Sequence, residues 1–342
     1  MNKVQPSSPI EVSVFITVYN HGKYLRQCLD SLVSQITNFK FEIIVGEDCS
    51  PDDSRSILIE YASKYPALIK ALLWEKNQGT KECPGKGNFT QTFYQCTGKY
   101  IVYIEGDDYL TDNYKLQKQY DFLNAHPESS ACFHNAIMSY EDGSDMGEKF
   151  INPPDQKDKI YPEDLLTQKE VWFMATASVM FRRNLFGEKL PEWFLKSKSG
   201  DIPIYILLAN QGYIGYIPDV MCVYRRHQGG LSYTDSNYSE VFIKNRMFMY
   251  SNVDKELKFK YNHLIKPILG EYYLLLTNVF KLKNQYFQSI YFAFISLYLT
   301  KPNSKKHLKS VFQDFIIPTG LMKVYANVKW KLETLFNKKA SQ

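Results

Sequence analysis

The sequence has no Cys-x-x-Cys pair, no eighteen-residue apolar run and none of the common glycine signatures for binding phosphate. Its six cysteines, at positions 28, 49, 83, 96, 132 and 222, are scattered without His/Cys ligand spacing. That excludes a zinc site or a disulfide framework and reads as reduced core thiols of a cytoplasmic protein. The nearest thing to a membrane span, residues 285–299, is too short and carries two glutamines. Residues 1–9 are short and polar, so no secretory leader is expected ahead of the first strand. The first strand-to-helix turn, Thr17-Val18-Tyr19-Asn20-His21-Gly22-Lys23, has no GxGxxG, which argues against a dinucleotide fold of the NAD type. Gly85-Lys86-Gly87-Asn88 lacks the Walker spacing, and no GxSxG nucleophile elbow occurs.

The 342 residues, 44% of them apolar, suffice for one large domain with an appendage or for two domains. Aromatics are abundant, with 26 Tyr and 22 Phe, a composition suited to stacking on sugars or to a membrane surface. The net charge of +5 conceals an asymmetry. Residues 251–342 carry 15 Lys and no Arg against 5 acids, whereas the first 250 carry 26 basic and 31 acidic groups. An acidic body with a basic tail argues against a nucleic-acid enzyme, whose working face is basic. The tail suits either an anionic surface as partner or a solvated lysine-rich helical face.

Strands and helices alternate through the first half. Val12–Val18 is apolar and β-branched, as a buried strand requires, and Leu25, Cys28, Leu29, Leu32 and Val33 recur on one helical face. Phe41–Val45 predicts a second strand, and Ser50-Pro51-Asp52-Asp53 a helix start with Ser50 as its cap. Ala71–Trp74 and Tyr100–Ile104 predict further strands, the second preceded by a helical stripe at Phe89, Phe93 and Cys96. A helix from Asp112 to His126 follows. The second half is less regular: a loop over 142–164, a strand at Ala175–Phe181, a helix near 204–210 and a strand at Pro218–Tyr224. Beyond Tyr250 the pattern is helical, basic and aromatic. Repeated βαβ units of this kind give a doubly wound parallel sheet.

The chemistry concentrates where the apolar run Tyr100–Ile104 meets Glu105-Gly106-Asp107-Asp108. Ligands of open α/β sheets sit outside the carboxyl ends of the strands. Three acids bunched there repel one another, and a hard divalent cation such as Mg²⁺ or Mn²⁺ would relieve the repulsion. An acidic turn leading into the next helix is the alternative.

Five segments in order resemble family 2 glycosyltransferases. They are Val14-Phe15-Ile16-Thr17-Val18-Tyr19-Asn20; Ile43 to Asp52 around Glu47-Asp48; Glu105-Gly106-Asp107-Asp108; Ser199-Gly200-Asp201; and Tyr224-Arg225-Arg226-His227. The likeness covers roughly residues 10–232 and departs from the family pattern at Glu47 and Glu105, where aspartate is commoner. Both keep the charge and reach one methylene further.

The resemblance implies a GT-A-like doubly wound, mostly parallel α/β sheet over residues 1–250 and a basic α-helical appendage over 251–342. It implies transfer of a sugar, with inversion, from a nucleotide donor (UDP-linked) to a bacterial glycan or lipid-linked acceptor at the inner face of the cytoplasmic membrane. In that scheme Asp107 and His227 would hold Mn²⁺ or Mg²⁺, His227 being otherwise a loop histidine packed on a tyrosine. Thr17, Tyr19, Asn20, Asp48, Glu105 and Gly106 would bind the nucleotide, with Asp48 accepting from the uracil imide and Tyr19 stacking on the ring. Lys86 and Asn88, in a Gly-Pro-rich loop before a helix, would meet the diphosphate. Asp201, otherwise an ordinary helix cap, would be the base, since direct inversion needs a single carboxylate opposite the leaving group. Two other readings are a silent glycan- or membrane-binding module and a nucleotidyltransferase. The latter would need a basic triphosphate-gripping loop that the sequence does not offer.

Overall fold

The computed structural model describes residues 9–80, 83–141, 149–167, 173–186, 189–230 and 239–300. The chain divides into two compact units, Met1–Tyr233 and Thr234–Gln342.

The first unit opens with strand β1 (Ile10–Val18), helix α1 (Gly22–Val33), β2 (Lys40–Glu47), α2 (Ser54–Lys64), β3 (Ile69–Leu73), α3 (Lys86–Phe93) and β4 (Tyr100–Glu105). It continues with β5 (Tyr109–Leu110), α4 (Lys115–Ala125), β6 (Ser129–Tyr140), β7 (Lys149–Phe150), β8 (Lys159–Ile160), α5 (Pro162–Thr167), β9 (Met180–Arg182), α6 (Asp201–Gln211) and β10 (Tyr213–Arg226). The sheet runs β3-β2-β1-β4-β9-β6-β10-β5, with β7 on β6 and β8 on β10. The first four of these strands are parallel, β9 is antiparallel to both its neighbours, and β6 pairs parallel with β10.

Both faces of the parallel half are covered, which is why its strands read as continuous apolar runs. Val12, Val14 and Ile16 of β1 join Leu25, Cys28, Leu29 and Leu32 of α1 in one core cluster. On the other face Phe15 lies 4.7 Å from Tyr103 and 5.1 Å from Phe89 of α3, ring centre to ring centre. Register then aligns the strand ends. Thr17 stands opposite Gly46 on one side and Glu105 on the other, so β1, β2 and β4 finish in one row.

Several local expectations are corrected. Helix α2 begins at Ser54, four residues after the expected cap. Ser50 is instead an acceptor for the Asn20 amide (3.1 Å), and Asp52 accepts from Gly22 (2.8 Å), so this turn secures the start of α1. The strand expected at Ala175–Phe181 is a 3-10 turn at Thr176–Ser178 followed by the short β9. β6 was not expected, and β10 is much longer than Pro218–Tyr224. Within the expected 142–164 loop, residues 142–148 lie outside the described residues, while β7, β8 and the start of α5 occupy part of the remainder.

The described part of the second unit is helical: α7 (Glu240–Glu256), α8 (Asn262–Leu282) and α9 (Tyr286–Thr300). Glu240 binds Lys244 within α7 and Lys283 at the end of α8, both exposed pairs of small energetic weight. No described helix is long and apolar enough to cross a membrane. The sequence from 301 onward lies outside the described residues.

Candidate functional site

The row of strand ends carries the candidate site. Gly106 donates its amide to the Thr17 carbonyl (3.1 Å), which ties the acidic loop after β4 to the end of β1. A side chain at Gly106 would sit 2.9 Å from His21 Nδ1, so glycine lets His21 close over the loop. His21 Nε2 lies 3.8 Å and His227 Nε2 2.9 Å from the same Asp107 oxygen, Oδ2. The sequence brought Asp107 and His227 together as candidates, and the structure places them in contact. His21, two residues past Tyr19, was not singled out.

Asp108 explains how His227 reaches this position. Its Oδ1 accepts the Arg225 amide (2.9 Å), pinning the end of β10 two residues before His227. The Arg225 side chain donates to the Asp107 carbonyl (3.0 Å) and to Gln27 Oε1 (2.5 Å), and lies between the Tyr24 and Tyr109 rings. Arg225 and Asp108 therefore frame the loop, a role not foreseen beyond their place in the motifs.

Electrostatics follow from burying three acids together. Burial, then Asp107 and Glu105, push the Asp108 carboxyl well above the usual range. Burial, then Asp107 and Asp201, raise Glu105 to about 8. Burial also works against ionised Asp107, but His21 and His227 outweigh it and hold that carboxyl low. Asp107 is thus the member of the cluster kept anionic, and its Oδ1 is buried without a hydrogen-bond partner.

The orphaned Asp107 carboxylate oxygen fits a hard divalent cation in donor chemistry, and the His227 imidazole beside it is a softer donor. Among the described residues no three His, Cys, Asp or Glu side chains form a ready cage. That is the usual situation for Mg²⁺-type sites, which take one or two carboxylates and complete their shell with substrate phosphates and water.

At the end of β2 the two acids separate in role. Glu47 is fully buried, accepts Ser50 N (2.6 Å) and pairs with Arg55 at 2.5 Å, so it joins β2 to α2. Asp48 accepts Gln78 N on Oδ1 (2.6 Å), while its Oδ2 is buried without a partner. Burial raises its carboxyl above the ordinary value. Tyr19 is 47% exposed and Asn20 is exposed with φ 60, a left-handed conformation that asparagine tolerates. The Thr17 hydroxyl is shared with Tyr103 at 2.9 Å.

Lys86 and Asn88, expected together at a diphosphate, differ. Asn88 is 1% exposed and its amide is used in the scaffold, donating to Gly46 O (2.8 Å) and accepting from Trp74 (2.8 Å) and Thr92 (3.1 Å). Gly46 is required there, because a Cβ would fall 2.1 Å from the Asn88 oxygen. Its role is to support the end of β2. Lys86 is buried, stands 4.0 Å over the Phe194 ring and donates to Ser199 O (3.1 Å). Burial lowers its ammonium to about 8, with Asp201 opposing the shift.

Asp201 is the first residue of α6. Its Oδ1 accepts from Ser199 Oγ (2.9 Å) and from Ile202 N (2.8 Å). Ser199 O is in turn held by Ser197 Oγ (3.0 Å) as well as by Lys86. The carboxylate is therefore fixed through one oxygen by a loop clamped from α3.

Parallel strand ends, a buried acidic loop faced by two histidines and a separate clamped carboxylate define an α/β protein of the GT-A type. The chain belongs to glycosyl transferase family 2, whose family model matches residues 13–189. An uncharacterized protein of Mycobacterium tuberculosis is 34% identical over 233 residues, covering 66% of this chain and 62% of that protein. The match thus spans a little under two thirds of that relative. Poly(ribitol-phosphate) beta-N-acetylglucosaminyltransferase TarS of Staphylococcus aureus is 30% identical over 118 residues, 34% of this chain and 19% of that protein. The structure of TarS 1–349 in complex with UDP-GlcNAc matches with a TM-score of 0.57 at 20% identity, covering 84% of this chain and 82% of that one. The mannosyltransferase PcManGT of Pyrobaculum calidifontis, in complex with GDP-Man and Mn²⁺, matches with a TM-score of 0.50 at 15% identity, covering 99% and 88%. At these identities the structural likeness establishes the fold.

Proposed function

We propose that the protein transfers a sugar from a nucleotide donor, a UDP-sugar, to a hydroxyl of a bacterial glycan or lipid-linked saccharide. Transfer proceeds with inversion, depends on Mn²⁺ or Mg²⁺, and takes place at the cytoplasmic membrane face. The observation that carries this reading is the Asp107 carboxylate in the loop after β4, with one oxygen 2.9 Å from His227 Nε2 and the other buried and unsatisfied. A cation bound by Asp107 and His227 would supply Lewis-acid stabilisation for the departing diphosphate. The chain's own residues do the rest. Asp48 Oδ2 accepts the uracil imide N–H, and Tyr19 stacks on the base. Asp201, held through Oδ1, receives the acceptor's proton on Oδ2. Its single carboxylate suits direct displacement. Thermal shift with a panel of nucleotide sugars, with and without Mn²⁺, tests the reading. A Mn²⁺-dependent rise with UDP-sugars is expected, followed by release of UDP when acceptor is present. No stabilisation and no turnover with any donor would leave a silent binding module.

Base choice gives a first prediction. Asp48→Ala removes the only acceptor proposed for the imide, so UDP binding should weaken by about 1–3 kcal/mol in calorimetry, the range for a charge-assisted hydrogen bond. Unchanged affinity would make Asp48 purely structural.

Lys86 gives a second. Its positive charge faces Asp201, and the ammonium titrates at about 8. Charge is present below that pH and lost as pH rises through it, so turnover should fall on an alkaline limb near pH 8. Arginine stays charged well above this range. In Lys86→Arg the limb should therefore move to higher pH, and a pH–rate profile with an unmoved limb would detach Lys86 from the reaction.

A further inference from the structure

Helix α9 is built inside out for a helix of a water-soluble unit. Its most buried residues are small, Ser289, Ala293 and Ser296 being 5%, 1% and 0% exposed, with half-buried Phe292 packing beside them on Tyr273 and Phe280 of α8. These residues seat it closely on α8, where Ser289 Oγ donates to Thr277 O (3.0 Å) and Ser296 Oγ to Gly270 O (2.7 Å). The opposite face is large and aromatic. Phe287, Tyr291, Phe294 and Tyr298 are 89%, 62%, 66% and 79% exposed, and their spacing of four, three and four residues sets them in one stripe. An amphipathic helix made only to fold would turn this stripe inward, because each ring removed from water contributes to burial. The fifteen residues of α9 contain no Asp, Glu, Lys or Arg, so the face offers nothing for a charge-paired protein contact. Cationic charge follows immediately in the sequence, where residues 301–342 carry nine Lys and no Arg against two acids.

We infer that this stripe is a lipid-docking surface, entering the headgroup region of an anionic bilayer while the lysines that follow in sequence supply electrostatic attraction. Phe rings suit the acyl boundary, and Tyr, with an apolar body and a hydroxyl tip, suits the headgroup level. An apolar face next to a polybasic segment is the pattern of an interfacial anchor, and neither part alone gives firm attachment. The purpose of such an anchor rests on the proposed lipid-linked acceptor, but its physical grounds do not.

The test uses the full-length protein and vesicles of phosphatidylethanolamine and phosphatidylglycerol. Wild type should float with them, and F287S/Y291S/F294S/Y298S should partition at least about tenfold less. All four residues are exposed, so the variant should keep the wild-type melting temperature. Its UDP release in solution without vesicles should also be unchanged, which separates failure of docking from failure of the transferase reading. The chain already has four tryptophans, so F294W is read as a difference from wild type: the added tryptophan should shift to the blue on adding vesicles and be quenched by brominated acyl chains. Equal flotation of the fourfold variant, or no quenching in F294W, would overturn the inference. So would a F294W tryptophan already shielded from acrylamide without lipid, since a second copy or the chain's own 301–342 segment would then cover the face.

Discussion

Asp107→Asn is expected to abolish Mn²⁺-dependent binding of a UDP-sugar and to lower transfer by roughly 10²–10³-fold or more, the scale of losing one electrostatic contact to developing charge. The substitution is nearly isosteric, and its neighbours show why the fold should survive it. Arg225 holds the Asp107 main-chain carbonyl and not its carboxylate. The Arg225 amide is anchored on Asp108. The Asp107 carboxyl is held low by His21 and His227, so its charge contributes to folding above its ordinary pKa, and the melting temperature should fall modestly while cation affinity disappears altogether. Calorimetry of UDP with and without Mn²⁺, together with a melting curve, reads both halves. Full transfer by Asp107→Asn, or equal wild-type activity in EDTA, would remove the cation from the reaction.

The parallel half of the sheet was legible because burial on both faces leaves its strands almost free of polar residues. β1 and β4 end where their apolar runs end, and the acids that follow stand at the strand termini, so the row Thr17, Gly46 and Glu105 could be anticipated in outline. β6 was hidden by the opposite circumstance. It reads Ser129-Ser130 at its start and His134-Asn135 at its centre, a polar content that suggests a loop. Those groups find partners only in three dimensions: Asn135 exchanges two hydrogen bonds with Asn152, and Ser129 and Ser130 both donate to Tyr213 O. The start of α2 was misplaced for a similar reason. Ser50, Pro51 and Asp52 have the composition of a helix start, but Ser50 and Asp52 serve the neighbouring α1 loop across 30 positions of sequence. Asn88 looked like a ligand group because of the glycines around it, and nothing local signals that Gly46 and Trp74 use its amide. His21 could have been found from its place three residues beyond the end of β1. That it shares Asp107 with His227 depends on β10, which no local pattern connects to β1.

Asp201→Asn should lower turnover by about 10²–10⁴-fold, the usual contribution of a general base. Asparagine is the fair replacement here. Its carbonyl oxygen can keep both contacts now made by Asp201 Oδ1, from Ser199 Oγ and Ile202 N, so α6 should start where it does now. What the amide cannot do is take a proton at the other position. Donor and Mn²⁺ affinities should barely change, because the proposed contacts of Asp201 are with the acceptor and those of Asp107, His227 and Asp48 are with the donor. The expected pattern is a fall in kcat with near-constant KM for the UDP-sugar and a near-constant melting temperature. Gly200 and not Asp201 is the cap of α6, and loss of a merely structural contact at the helix start would give the reverse, a lower melting temperature with turnover largely kept. Near-normal turnover at unchanged stability would place the base elsewhere, and Glu105 would be the next carboxylate to test, since its raised affinity for a proton reflects in part its closeness to Asp201.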